Sequence, residues 1–278
     1  MIFLNLSPAW IILIIAVGIV LLGLLGMFLR KYSIGPFRWF SINPDVMAKG
    51  NACQYSLLTI HPSKNHDLQG KRVLFLGSSI TVGSASLGVS FADGLAKRLR
   101  FSMVKEAVSG TTLSNINPES YVARLLSIPE SASFDLAIVQ LSTNDLWVGC
   151  PLGVIEPKER LQYNDKTILG AIETIVTTIQ KRYHCPVIFF TNPRFEEAFY
   201  QTMIDGLYEI SKKHGIGIID LWHHPTFNQI SEKERALYMA DGVHPRMAGY
   251  LKWWLPEFER QLLDIIQHQS LSRGEQTL

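Results

Sequence analysis

From residue 71 onward the chain alternates short apolar runs with amphipathic stretches. Val73–Leu76, between Lys71-Arg72 and Gly77, has the length and composition of a buried strand. Met103–Val108, Phe134–Leu141, Pro186–Phe190 and Gly215–Leu221 read as four more strands. Phe91–Arg100 and Tyr121–Ile128 read as short helices. Ile168, Ile172, Ile175, Val176 and Ile179 recur at helical spacing and predict a helix over Lys166–Arg182 with one apolar face. Phe199, Met203, Leu207 and Ile210 do the same for Phe195–His214. A last helix is expected over Met247–Gln267, broken or kinked at Pro256. Strands alternating with helices predict right-handed crossovers and a parallel sheet covered on both faces. The expected fold is one α/β domain over residues 71–278, a three-layer doubly wound unit with a five-stranded parallel sheet. Sites in such sheets lie at the carboxyl ends of the strands.

The pattern before residue 71 is different. Ala9–Leu29 is an uncharged, almost wholly apolar run of 21 residues. As a helix it would span about 30 Å, the thickness of a bilayer core. A buried globular helix and a cleaved signal peptide are the alternatives. The run is longer than a signal h-region, has no basic n-region before it, and is followed by Arg30-Lys31-Tyr32 rather than a small-residue cleavage site. Residues 1–32 are therefore read as a retained single-pass transmembrane anchor, with Trp10 at one interface and Arg30-Lys31 at the other. Arg30, Lys31 and Arg38 on the C-terminal flank lean the orientation toward a cytoplasmic C-terminal part. Residues 33–70, with Gly35-Pro36, Asn43-Pro44 and His61-Pro62, read as an irregular connector holding one short strand, Tyr55–Ile60.

Composition narrows the function classes. With 47% hydrophobic and 18% charged residues the chain is globular, not disordered. The net charge is +2, and residues 1–50 hold four of the basic residues against Asp45 alone, which leaves residues 51–278 at −1. That argues against a nucleic-acid partner. Cys53, Cys150 and Cys185 are too few and too scattered for a disulfide framework or a zinc site.

Four short segments carry candidate chemistry. The first strand runs into Gly77-Ser78-Ser79-Ile80-Thr81-Val82-Gly83, where a serine hydroxyl can stand above the sheet edge. The same loop reads equally as a strand-to-helix turn with a serine cap, and it lacks the glycine spacing of a phosphate loop. Asp241-Gly242-Val243-His244-Pro245 places an acid and a histidine three apart. The carboxylate can then accept from Nδ1 and leave Nε2 as a base. None of the other seven histidines is read as paired with an acid, and no second histidine stands at metal-ligand spacing from His244. Gly110, after the second strand, can offer a backbone N–H, and Asn144, beside Asp145 after the third, a side-chain amide. Each is also an ordinary turn residue.

Taken in order, these segments resemble the SGNH, or GDSL-type, hydrolase superfamily, over residues 71–267. The resemblance implies Ser79 as nucleophile, Asp241 and His244 as its acid–base partners, and the N–H of Ser79, the N–H of Gly110 and the amide of Asn144 as the oxyanion hole. It implies a flavodoxin-like fold, no metal or organic cofactor, and cleavage of an acyl ester of a small molecule, lipid or glycan. An acyltransferase acting on a glycan or envelope polymer, and a non-catalytic binding module, share the same fold. Two positions depart from the pattern. Ser78 stands where the family has an acid, which is expected to loosen the loop. Ser142 stands where it has glycine, which is expected to narrow backbone freedom beside Asn144. The segment Trp147–Asn164 is read either as a cover over the acyl pocket or as a surface loop.

Overall fold

The computed structural model of the chain describes residues 7–31, 43–64, 67–157 and 162–275. Five strands, β1 (Arg72–Gly77), β2 (Ser102–Ala107), β3 (Leu136–Gln140), β4 (Val187–Phe190) and β5 (Gly217–Ile219), pair in parallel in the order β2-β1-β3-β4-β5. The helices in chain order are α1 (Pro8–Lys31), α2 (Pro44–Met47), α3 (Ser79–Val82), α4 (Phe91–Leu99), α5 (Tyr121–Ser127) and α6 (Asn144–Trp147). They continue with α7 (Ile168–Tyr183), α8 (Ala198–His214), α9 (Glu232–Tyr238), α10 (Met247–Gly249) and α11 (Leu255–Glu275).

Alternation along β1 divides the core. Leu74 and Leu76 pack with α5, α7 and α8 on one face of the sheet, and Val73 and Phe75 pack with α4 and α11 on the other. All four are sealed from solvent, because a central parallel strand is covered on both sides. The expected three-layer sheet is the one observed. Its register brings Gly77 level with Ala107 and Leu76 level with Val139, so β1, β2 and β3 deliver their carboxyl ends to one edge.

Three sequence expectations need correction. Tyr55–Ile60 is not a strand. It forms parts of two successive 3₁₀ turns, Cys53–Tyr55 and Leu57–Thr59. The Leu57 carbonyl accepts from Lys97 Nζ of α4 at 2.6 Å, and the segment lies along that helix rather than a sheet edge. Pro256 does not break the last helix. Tyr250–Trp254 widens to a π turn just before it, so the turn missing the Pro256 N–H is absorbed without a break. Finally, α9 was not expected, because Glu232-Lys233-Glu234-Arg235 shows no apolar stripe. It is nucleated instead by a capping box, with Ser231 and Glu234 accepting from each other's backbone N–H.

Helix α1 exposes apolar side chains, among them Leu13, Ile14, Ile19 and Leu22. Among the described residues no helix is long and apolar enough to cross a membrane. The described residues do not confirm the expected transmembrane helix. The side chains of Trp10, Arg30 and Lys31, and all of Gly35-Pro36 and Arg38, lie outside the described residues.

Candidate active site

The polypeptide leaves β1 at Gly77 and turns at once into the single helical turn α3, with Ser79 as its first residue. Gly77 is dictated by contact: a Cβ there would stand 2.0 Å from Thr81 Oγ1 and 2.9 Å from Gln140 Oε1. Gln140 ends the otherwise apolar β3 and organises the turn. Its Oε1 accepts from Ser78 N (3.0 Å) and Thr81 Oγ1 (2.8 Å), and its Nε2 donates to Ser78 Oγ at 3.1 Å. Ser78 is fully buried in this network, so the loop is tied down and not loosened as expected. We expect Gly77→Ala to force this turn open, costing about 1–3 kcal/mol of stability and at least tenfold in turnover. Thermal denaturation and steady-state kinetics of the variant check both figures.

Residues 239–246 fold back as a hairpin held by the Met239–Pro245 bridge and by Ala240 N donating to His244 O. Within it Asp241 Oδ1 accepts from the N–H groups of Val243 and His244, both at 2.8 Å, and Oδ2 lies 2.7 Å from His244 Nδ1. Burial would raise the Asp241 carboxyl, but these donors outweigh it and hold it below the usual carboxylate range. The acid therefore stays ionised, which sets the neutral imidazole as the Nδ1–H tautomer. His244 Nε2 is then 2.8 Å from Ser79 Oγ. The structure thus joins two residues 165 positions apart into one chain of hydrogen bonds, Asp241–His244–Ser79.

Gly110 and Asn144 follow the two strands that flank β1, so both stand at the sheet edge where β1 delivers Ser79. Gly110 has φ +80°, a conformation that favours glycine, and no described atom would meet a Cβ there. Asn144 opens α6, and its side-chain amide donates to Thr111 O at 2.8 Å. Ser142 makes a bond that glycine could not: its Oγ accepts from Asn144 N at 3.0 Å. Asp145, fully buried, accepts from Leu113 N (2.7 Å) and Ser114 N (2.9 Å) and so locks the loop after β2 to α6. Arg124 completes this floor, donating to Gly77 O at 2.8 Å and to Thr111 Oγ1 at 3.1 Å.

The sequence profile of the GDSL-like lipase/acylhydrolase family matches residues 75–252. The chain belongs to that family. It is therefore an esterase of the SGNH type. No curated protein matches the chain in sequence. Solved structures share its fold. A Lactobacillus plantarum protein is 20% identical with a TM-score of 0.57, covering 69% of this chain and 96% of its own. A Bacteroides ovatus protein described as a GDSL-like lipase is 16% identical with a TM-score of 0.54, covering 69% and 97%. A family two carbohydrate esterase of Clostridium thermocellum, solved with cellohexaose, is 14% identical with a TM-score of 0.50, covering 72% and 67%.

Two further features of the esterase correct the sequence reading. His223 does have a paired acid: Asp220 Oδ2 lies 2.7 Å from its Nδ1, at the same three-residue spacing as Asp241 and His244. Its Nε2 is held by Gln201 of α8, so this pair ties the end of β5 to a helix. The described part of the segment after Asn144 is fastened to α7 and the core. Pro151 O and Leu152 O accept from the start of α7, and Leu152 and Ile155 pack on the core. Trp147 and Val148 beside Asn144 remain exposed. Among the described residues no group of three acidic, histidine or cysteine side chains could hold a metal ion.

Proposed function

We propose that the esterase cleaves acyl esters with Ser79 as nucleophile, His244 as general base and acid, and Asp241 as the orienting carboxylate. The observation that carries the reading is the 2.8 Å contact between His244 Nε2 and Ser79 Oγ, with Asp241 behind the ring. Ser79 Oγ attacks the ester carbonyl carbon while its proton passes to Nε2. The carbonyl oxygen becomes an oxyanion, received by the N–H groups of Ser79 and Gly110 and the amide of Asn144. Ser79, as the first residue of a helical turn, has an N–H outside the intrahelical ladder. The tetrahedral adduct collapses, the C–O bond to the alcohol breaks, and the Nε2 proton leaves with it. Water, deprotonated by His244, then hydrolyses the acyl-Ser79 ester. No step calls on a metal or organic cofactor.

The substrate is a small-molecule, lipid or glycan ester, and a carbohydrate ester is worth testing because a carbohydrate esterase shares the fold. The test is turnover of acyl esters of graded chain length by the full chain, with and without a sugar acceptor, followed by peptide mapping after a fluorophosphonate probe. Modification at Ser79 and release of free acid support hydrolysis. Transfer of the acyl group to the sugar would make the protein an acyltransferase, and modification elsewhere would overturn the reading.

We also propose that α1 lies in a bilayer as a single-pass anchor. The support is the uncharged run Ala9–Leu29. The flanking charges contribute only about 1 kcal/mol each near an anionic surface, and salt screens that. The protein is expected to sediment with membranes and to resist high salt. Arg30, Lys31 and Arg38 favour a cytoplasmic hydrolase domain. Protease added to intact cells should spare residues 51–278. Extraction by salt removes the anchor, and cleavage without lysis reverses the orientation.

A further inference from the structure

Ser79 and His244 stand on separate loops, so their contact depends on how those loops are fastened to each other. One fastener lies within the family-matched span: Tyr250 Oη donates to Ile80 O at 2.7 Å. The other comes from outside it. Asn51 belongs to the irregular segment before β1, and its side chain is almost wholly buried. Its Nδ2 donates to Ala85 O at 2.8 Å and to Asp45 O at 2.9 Å, and its Oδ1 accepts from Met247 N at 2.9 Å. Ala85 sits in the 3₁₀ turn that follows α3. Met247 opens α10, three residues after His244, where a helical N–H has no partner in its own helix.

One amide therefore bridges the loop of the nucleophile and the loop of the histidine. The neighbouring residue shows how closely this segment is seated. A Cβ on Gly50 would stand 2.1 Å from Leu237 O and 2.9 Å from Arg246 Cδ. Arg246 in turn donates to Met239 O at 2.8 Å and to Ala236 O at 3.1 Å, closing the base of the His244 hairpin.

We propose that Asn51 is a positioning residue that keeps His244 Nε2 within hydrogen-bond reach of Ser79 Oγ. The segment ahead of the hydrolase core is then part of the catalytic assembly and not only a tether. The inference rests on the Ser79–His244 reading. Displacing a reacting group by about 1 Å can cost on the order of 100-fold. The experiment compares full-length wild type, Asn51→Ala, Asn51→Ser and Ser79→Ala on p-nitrophenyl acetate, well below each variant's melting temperature. Asn51→Ala is expected to lose about 10- to 100-fold in kcat with KM little changed, and Asn51→Ser to follow it, since a serine side chain reaches only one of the two loops. Wild-type kcat in either folded Asn51 variant, even with a lowered Tm, would make the residue merely structural and overturn the proposal.

A measurement on wild type alone covers the case in which neither variant folds. The Met247 amide should be among the slowly exchanging hydrogens in deuterium oxide, and rapid exchange there would overturn the proposal too. Equal turnover by Ser79→Ala and wild type would remove the underlying triad reading instead. An inactive Ser79→Ala beside fully active Asn51 variants would remove this inference alone.

Discussion

Ser79→Ala and His244→Ala are each expected to lower kcat on an acyl ester by about 10⁴-fold or more, because nucleophile and base act as one unit and losing either removes the covalent route. The loss should fall on kcat rather than KM, since neither group binds the ester more tightly before attack than during it. The fold should survive. Among the described residues the side-chain partner of Ser79 Oγ is His244, and removing such a bond costs about 0.5–1.5 kcal/mol. In His244→Ala the Asp241 carboxylate keeps the backbone N–H donors at positions 243 and 244. The double variant should be no slower than the slower single one. Kinetics and thermal melts of all three decide it. Wild-type turnover by Ser79→Ala would displace the nucleophile to another residue.

Asn144→Ala is expected to cost about 10²–10³ in kcat, the usual effect of deleting one oxyanion donor. Its neighbour provides the control. Asp145→Ala leaves the buried N–H groups of Leu113 and Ser114 without acceptors, and each orphan costs about 1–3 kcal/mol. The two adjacent substitutions should therefore separate. Asn144→Ala should be slow and nearly as stable as wild type, whereas Asp145→Ala should melt markedly lower. If Asn144→Ala instead loses stability and keeps its rate, its amide serves only to hold Thr111 O, and the third donor must be sought elsewhere.

Much of this architecture was legible along the chain because its signals are local. β1, β3 and β4 are continuous apolar runs, since a strand covered on both faces has no polar side to show. α7 and α8 declared themselves by their repeating apolar faces. Ser79, Gly110 and Asn144 each follow a strand end, and Asp241 and His244 meet within one turn, but each also reads as an ordinary loop residue, and only the resemblance of the ordered segments to the family singles them out. The same three-residue spacing joins Asp220 to His223.

What the sequence could not settle depends on partners far away in the chain. Tyr55–Ile60 has the composition of a strand, but α4 takes the carbonyl of Leu57 and the segment curls into turns. Ser78 and Ser142 looked like losses from a family pattern. Only when β1 and β3 lie side by side does Gln140 reach Ser78; the Ser142 bond to Asn144 N is local, but it needs the turn the chain takes after Leu141. Asn51 carries no mark at all in sequence, being 34 residues from Ala85 and 196 from Met247. The elements were thus decided largely by short-range patterning. The 2.8 Å approach of His244 to Ser79 was decided by tertiary structure, because a hydrogen bond requires its partners at one place and spacing along the chain cannot say which loops will share it.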